Sequence, residues 1–257
     1  MTARLHLVVA HPDDETFGCG SLLLHAAAAG AVTLVTCATR GEAGEPAPDS
    51  GITPDRLGRV REEELRRAAE VLGVAEVELL DYRDSGMAGE AGEETLVGAA
   101  YSDVVAAVGA SVRRFGPDVL VTLDASDGHR DHARIRDAAV EAALGAGVPR
   151  IYLACLPRSL MRRWCDHMGR ERPDMAHLDA DTEQLGTPDE LLTTEVDVKA
   201  HREPREAAMS IHASQTSPFD GLPEELRAAF LDVVHARRVE PVWAGGERER
   251  ELLPGQT

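Results

Sequence analysis

The feature that most constrains this chain is an alternation. Short apolar runs at residues 5–10, 32–37, 77–80, 118–123 and 150–154 are separated by helical stretches at 16–29, 54–72, 96–115 and 130–144. Runs this brief read as strands, and continuous apolar strands are those buried on both faces of a sheet. Parallel neighbours need a crossover connection, and a single helix between strands supplies it in the right-handed sense. The expected fold is therefore α/β and Rossmann-like, a mainly parallel sheet covered by helices on both faces. The 54–72 stretch is marked most clearly. Pro54 suits the first helical turn, Glu62–Arg66 and Glu63–Arg67 stand at i,i+4, and Gly73 closes it.

After Pro157 the rhythm breaks. Residues 158–195 are polar with scattered Gly and Pro and read as an insertion or lid in the C-terminal region. A helix entered at Pro204 and ending near His212 follows, then an amphipathic piece over 222–235. From Ala244 the chain reads as a frayed or disordered tail, giving one domain over 1–243 and a tail over 244–257. With 257 residues, 43% of them hydrophobic, there is material for one sizeable core.

Charge narrows the partners. Asp and Glu number 45 against 27 Lys and Arg, a net charge of −18. Such a surface repels phosphate backbones and anionic headgroups, so neither nucleic acid nor membrane is expected as a partner. Residues 16–39 carry no Asp, Glu, Lys or Arg and would be long enough to span a bilayer, but Gly18, Gly20, His25 and Gly30 punctuate them. They read instead as helix, glycine, strand. The first residues lack a small-residue cleavage site. Four cysteines at irregular spacing, with no C-x-x-C pair, read as reduced thiols and favour a cytoplasmic setting.

The chemistry collects after two strands. His11-Pro12-Asp13-Asp14-Glu15 follows the first, and Asp127-Gly128-His129-Arg130-Asp131-His132 follows the fourth. In open α/β sheets ligands bind beyond the carboxyl ends of strands, so both segments lie on the edge where a site belongs. An imidazole beside three carboxylates concentrates negative charge that a divalent cation would neutralise. The bland alternative for the first segment is a solvated acidic loop. His132 shares a helix face with Ile135 and Ala139 and so should point inward. On helix 54–72, Arg61 and Glu64 fall inside the apolar stripe of Leu57, Val60, Leu65, Ala68 and Leu72. An Arg61–Glu64 ion pair and a substrate contact remain equal readings, and Asp84 after the third strand is ambiguous in the same way.

Together, AHPDDE after strand one, a His-x-x-His motif after strand four and the helix LGRVREEELRRAAEVLGV resemble the PIG-L/LmbE-like zinc-dependent de-N-acetylases. The likeness covers roughly residues 5–154 and resumes at Ile211-His212-Ala213-Ser214-Gln215. YRDSGM is similar to members that deacetylate a glucosamine–inositol intermediate of mycothiol synthesis. The resemblance implies His11, Asp14 and His132 as metal ligands, for Zn2+ or alternatively Fe2+. It implies Asp13 as general base, His129 as stabiliser of the tetrahedral intermediate, Asp131 as its orienting carboxylate, and Arg61 and Asp84 as sugar contacts. Asp127 stands where those members carry a tyrosine, and Arg130 replaces a proline within the second motif. The function implied is metal-dependent removal of an N-acetyl or other N-acyl group from a small amino-sugar conjugate. Relatives often assemble as trimers or hexamers, which leaves a homo-oligomer open. Two alternatives compete: a non-haem Fe(II) oxygenase using His11, Asp13 and His132, and a non-catalytic sugar-binding homologue.

Overall fold

A computed structural model describes residues 2–48, 50–171 and 185–253. Five strands, β1 (Arg4–Val9), β2 (Val32–Cys37), β3 (Glu76–Leu79), β4 (Val119–Leu123) and β5 (Arg150–Cys155), pair in parallel in the order β3-β2-β1-β4-β5. Two further strands, β6 (Thr194–Asp197) and β7 (Val233–Glu240), extend the sheet past β5, with β7 antiparallel to both of its neighbours.

Alternation along β1 shows why the sheet is covered twice. Leu5, Leu7 and Val9 face a layer built from α2 (Gly20–Ala28) and α3 (Pro54–Val71), where Leu22, Leu23, Leu65 and Leu72 are buried. Val8 and Ala10 face the opposite layer of α4 (Tyr101–Phe115) and α5 (Arg130–Ala146), where Val104, Val108, Ile135 and Ala139 are buried. A single short turn, α1 (Asp14–Phe17), intervenes between β1 and α2. Gly73, with φ 72°, closes α3 in the left-handed conformation that a residue with a Cβ avoids.

Strand order reverses at β1, with β2 on one side and β4 on the other. Their register, Leu5 opposite Val119 and Val8 opposite Thr122, brings the loops leaving both strands out side by side. That crevice is the topological switch point.

The second half departs from expectation. The stretch read as an insertion begins with a regular helix, α6 (Arg158–Glu171), and ends in β6, while residues 172–184 lie outside the described residues. The next helix, α7 (Arg202–Met209), starts two residues before Pro204. Pro204 is tolerated there because amides in the first turn have no intrahelical acceptor. The 222–235 piece divides into α8 (Glu224–Leu231) and the start of β7. The tail expected to fray from Ala244 is docked through Leu253. Glu249 exchanges backbone hydrogen bonds with Thr193 and Glu195, and Leu252 and Leu253 are buried. Residues 254–257 lie outside the described set. No helix among the described residues is long and apolar enough to cross a membrane, so 16–39 is indeed helix and strand. Cys19, Cys37 and Cys155 are buried free thiols.

Candidate active site

The turn after β1 is wound tightly around Asp13. Asp13 adopts φ 117°, a conformation that costs energy for any residue with a Cβ and persists only when its surroundings hold it. Three contacts do so. Its amide donates to Glu15 Oε2 at 2.9 Å, its carbonyl accepts from the amides of Thr16 and Phe17, and its carboxylate meets Arg61 Nη2 at 2.9 Å. Arg61 also donates to the carbonyls of Pro12 at 2.6 Å and Gly41 at 2.8 Å. Arg61 therefore pairs with Asp13 and not with Glu64. Glu64 turns to Ser214, accepting its amide at 3.0 Å and its hydroxyl at 2.5 Å.

Asp14 faces the second motif. One of its oxygens accepts the amides of Ala10 and His11, and the other stands 3.3 Å from His132 Nε2. His11 Nδ1 lies 3.2 Å from His132 Nε2 and 3.8 Å from the Asp14 carboxylate. The His129 ring completes the group, 4.6 Å from His11 and 4.8 Å from His132 between centroids. His132 shares the buried face of α5 with Ile135 and Ala139, as its spacing predicts.

The outer contacts determine which ring nitrogens face inward. His11 Nε2 is 3.2 Å from Asp131 and 3.5 Å from Asp84, and His132 Nδ1 is 2.5 Å from Asp127. A carboxylate beside one ring nitrogen draws the proton there and leaves a lone pair on the other. In the neutral rings, His11 Nδ1 and His132 Nε2 would thus present lone pairs toward one point beside Asp14. Donors on a tetrahedral ion with arms of about 2.0–2.1 Å lie about 3.3 Å apart; the 3.2 Å between His11 Nδ1 and His132 Nε2 and the 3.3 Å between His132 Nε2 and Asp14 Oδ1 match that spacing, and His11 Nδ1 meets the other Asp14 oxygen at 3.8 Å. Asp131 Oδ1 is buried without a partner, a further acceptor held close to this cluster. The donor set fits a divalent cation. His129 with His11 and His132, and Asp84 with Asp131 and His11, also lie close enough for ligation.

The electrostatics agree. Burial alone would lower the His11 imidazole, but hydrogen bonds to Asp131 and Asp84 and the charge of Asp14 outweigh it and push it up to about 9. Burial opposes the His132 charge in the same way, yet Asp14 and Asp127 raise it to about 11. Burial would raise Asp14, and His132 and His11 instead hold it well below the usual carboxylate range. The carboxylates therefore demand positive charge at the two rings, which protons or a metal ion can supply. Burial pushes Asp13 up to about 6 against the pull of Arg61. His129 is lowered by burial and by the positive charge of His11 and His132.

The carboxylate expected to orient His129 sits elsewhere, and two neighbouring residues support the site. Asp131 does not reach His129 through its carboxylate, which lies against His11 and accepts the Ser85 amide at 2.9 Å. The link to His129 runs from the Asp131 amide to His129 Nδ1 at 3.2 Å. Asp84 is held by the amides of Ala43 and Gly86 and leans on His11. Arg130, the residue in place of a proline, is committed to backbone contacts. It gathers the carbonyls of Ser85, Gly86, Ala88 and Gly89, fixing the loop that carries Asp84 and Ser85. Sequence reasoning missed the hold of Asp127 on His132 and the buried pair of His212 with Glu15 at 2.8 Å. The second was signalled by the His212-Ala213-Ser214-Gln215 motif, whose His212 and Ser214 tie the C-terminal half back to Glu15 and Glu64.

Comparison with known proteins gives the family. A sequence model of the family described as PIG-L: GlcNAc-PI de-N-acetylase matches residues 6–143, the span from β1 through most of α5. The chain belongs to this family. It is 38% identical over 270 residues to the 1D-myo-inositol 2-acetamido-2-deoxy-alpha-D-glucopyranoside deacetylase of Geodermatophilus obscurus, covering 92% of each protein. Against the enzyme of the same name from Streptomyces scabiei the identity is 35%, over 98% of this chain and 89% of the relative. Among solved structures, GalB, the 4-carboxy-2-hydroxymuconate hydratase of Pseudomonas putida, superposes with a TM-score of 0.64 at 20% identity, covering 95% of this chain and 99% of that one. The N,N'-diacetylchitobiose deacetylase of Pyrococcus horikoshii does so at 0.62 and 19%, over 91% and 83%. These two show the α/β fold alone, and a hydratase among them shows that one fold hosts different chemistries. PIG-L membership does not favour the oxygenase or the non-catalytic alternative.

Proposed function

We propose that this PIG-L family protein is a metal-dependent N-deacetylase of a small amino-sugar conjugate, with an inositol conjugate of N-acetylglucosamine as the first candidate substrate. The observation that carries the reading is the convergence of His11, Asp14 and His132 on one point, with Asp13 held beside them. The substrate class follows the activity named for the relatives that match across most of the chain.

His11, Asp14 and His132 would hold the ion, Zn2+ first and Fe2+ as the alternative. When bound, a divalent cation supplies Lewis-acid polarisation of the amide carbonyl and acidifies water. Asp13 acts as the base that takes a proton from the attacking water, and Arg61 aims its carboxylate. His129 Nδ1 accepts the Asp131 amide, so the neutral ring carries its proton on Nε2 and can donate to the developing oxyanion without being charged. The amide C–N bond then breaks, and Asp13 returns the proton to the leaving amine. Asp131 and Asp84 hold His11 in the ligating tautomer. In this reading Arg61 and Asp84 border the sugar side of the site. A cytoplasmic setting accords with the buried free thiols.

The test measures metal content and amine release together, on wild type, His132→Ala and Asp13→Asn. Substrates are N-acetylglucosamine, its inositol conjugate and a panel of N-acetylated glycosides. Near-stoichiometric metal and acetate release in wild type are expected. His132→Ala should lose both, and Asp13→Asn should keep metal while kcat falls about 10²–10⁴-fold. Wild type that takes up no metal after reconstitution would overturn the reading, as would unchanged kcat in Asp13→Asn.

A further inference from the structure

A cavity of about 360 Å³ opens directly onto the cluster. Asp13, Asp14 and His132 line it, whereas Arg61, Asp84 and His129 do not. Away from the cluster its wall is aromatic and aliphatic: Phe17, Leu123, Leu156, Met161, Trp164 and Phe219. Several of the polar groups on that wall already have partners. Asp124 accepts from Ser126 and Thr187, Asp127 accepts the His129 amide and holds His132, and Trp164 Nε1 donates to the Pro218 carbonyl at 3.0 Å. A polyol placed there would give up hydrogen bonds to water and find few in return. An apolar group would lose nothing and bury its surface.

We propose that this chamber receives the acyl chain of the substrate, and that the preferred substrates carry an N-acyl group longer than acetyl. The inference rests on the metal-dependent N-deacetylase reading above and extends its acyl group. The acyl substituent is bonded to the attacked carbon itself, so a chamber lined by the base and metal-ligand candidates lies within its reach. The sugar, on the other side of the amide nitrogen, is left to the Arg61 and Asp84 flank. An acetyl methyl fills only a small part of this volume, whereas a chain of several methylenes would cover the Trp164 and Phe219 faces. Water oxygen joins the acyl carbon, the C–N bond breaks, and the products are the free amine and a carboxylic acid that keeps the chain.

The test is a series of N-acetyl, N-butyryl and N-hexanoyl glucosamine, with amine release followed on the metal-loaded protein. kcat/KM should rise about two- to fourfold per added methylene through hexanoyl. Leu156→Trp, at an exposed wall position, should reverse that preference, so that kcat/KM falls from acetyl to hexanoyl. A fall in kcat/KM from acetyl to hexanoyl in wild type would overturn the proposal, as would a preference that Leu156→Trp does not alter. A second readout needs no turnover: tryptophan fluorescence of the metal-free protein titrated with acetate, butyrate and hexanoate. Binding should tighten with chain length, and the signal should vanish in Trp164→Phe. If no glucosamine amide is cleaved, the deacylase reading fails by itself and the titration decides the chamber. A response independent of chain length would then overturn it.

Discussion

Asp127 shows how much a single carboxylate can do one step away from the reacting atoms. Its 2.5 Å contact with His132 Nδ1 fixes which nitrogen of that ring carries a lone pair into the cluster. From the sequence it looked only like a missing tyrosine. Asp127→Ala should weaken metal affinity about 10–100-fold, measured by competition with a chelator, while turnover per bound metal changes little. His6 makes a different kind of prediction. It is fully buried on β1, bonded to Thr36 Oγ1 at 2.8 Å, and burial lowers its pKa from 6.5 to about 4. The folded state keeps His6 neutral where the unfolded chain already binds a proton, so its contribution is complete above pH 6.5 and is lost as pH falls toward 4. The loss amounts to roughly 3 kcal/mol. Thermal melts of wild type against His6→Leu should therefore converge toward the variant between pH 6.5 and 4. Unaltered relative stability over that window would refute the assignment.

At the scale of elements, the site depends on how α7 is anchored. Arg205 on α7 is buried and donates to the carbonyls of Thr16, Phe17 and Phe230 and to Ser21 Oγ. The first two carbonyls belong to α1, the turn that carries Asp14 and Glu15. Burial lowers the Arg205 guanidinium to about 10, so it stays charged at neutral pH. Arg205→Met keeps the aliphatic stem but orphans those acceptors, and should cost about 2–4 kcal/mol in urea unfolding. The helices and strands of the first 155 residues were legible because buried parallel strands and amphipathic helices carry strong periodicities. β6 and β7 were not. In β7, VVHARRVE, most residues are half-buried and charged side chains interrupt the apolar ones. Periodicity fades where a strand is only partly covered.

Across the whole molecule, the two halves are joined through polar contacts that no local pattern announces. His212 reaches Glu15 and Ser214 reaches Glu64, so the motif near residue 212 braces the turn that holds Asp13. The last described residues close the far edge of the sheet. Glu249 pairs with Arg238 at 2.6 Å, Thr194 at 2.9 Å and Tyr152 at 3.3 Å, linking β7, β6 and β5. Glu249→Ala should lower stability by about 1–2 kcal/mol, whereas Glu247→Ala, at an exposed position beside it, should change the midpoint by less than about 0.5 kcal/mol. Equal effects in denaturant titrations would show that the edge is not held by these contacts.

The sequence by itself determined the parallel α/β core, the edge on which the chemistry gathers, and the residues that meet there. Those features are written in short-range periodicity and in motifs placed directly after strands. Only the tertiary structure decided that Arg61 pairs with Asp13, that Asp131 braces His11, that Arg130 holds a loop, and that an apolar chamber adjoins the cluster. Each of these joins side chains distant in the chain, through geometry that depends on the packed sheet and the helices over it, and a one-dimensional pattern carries no such distances.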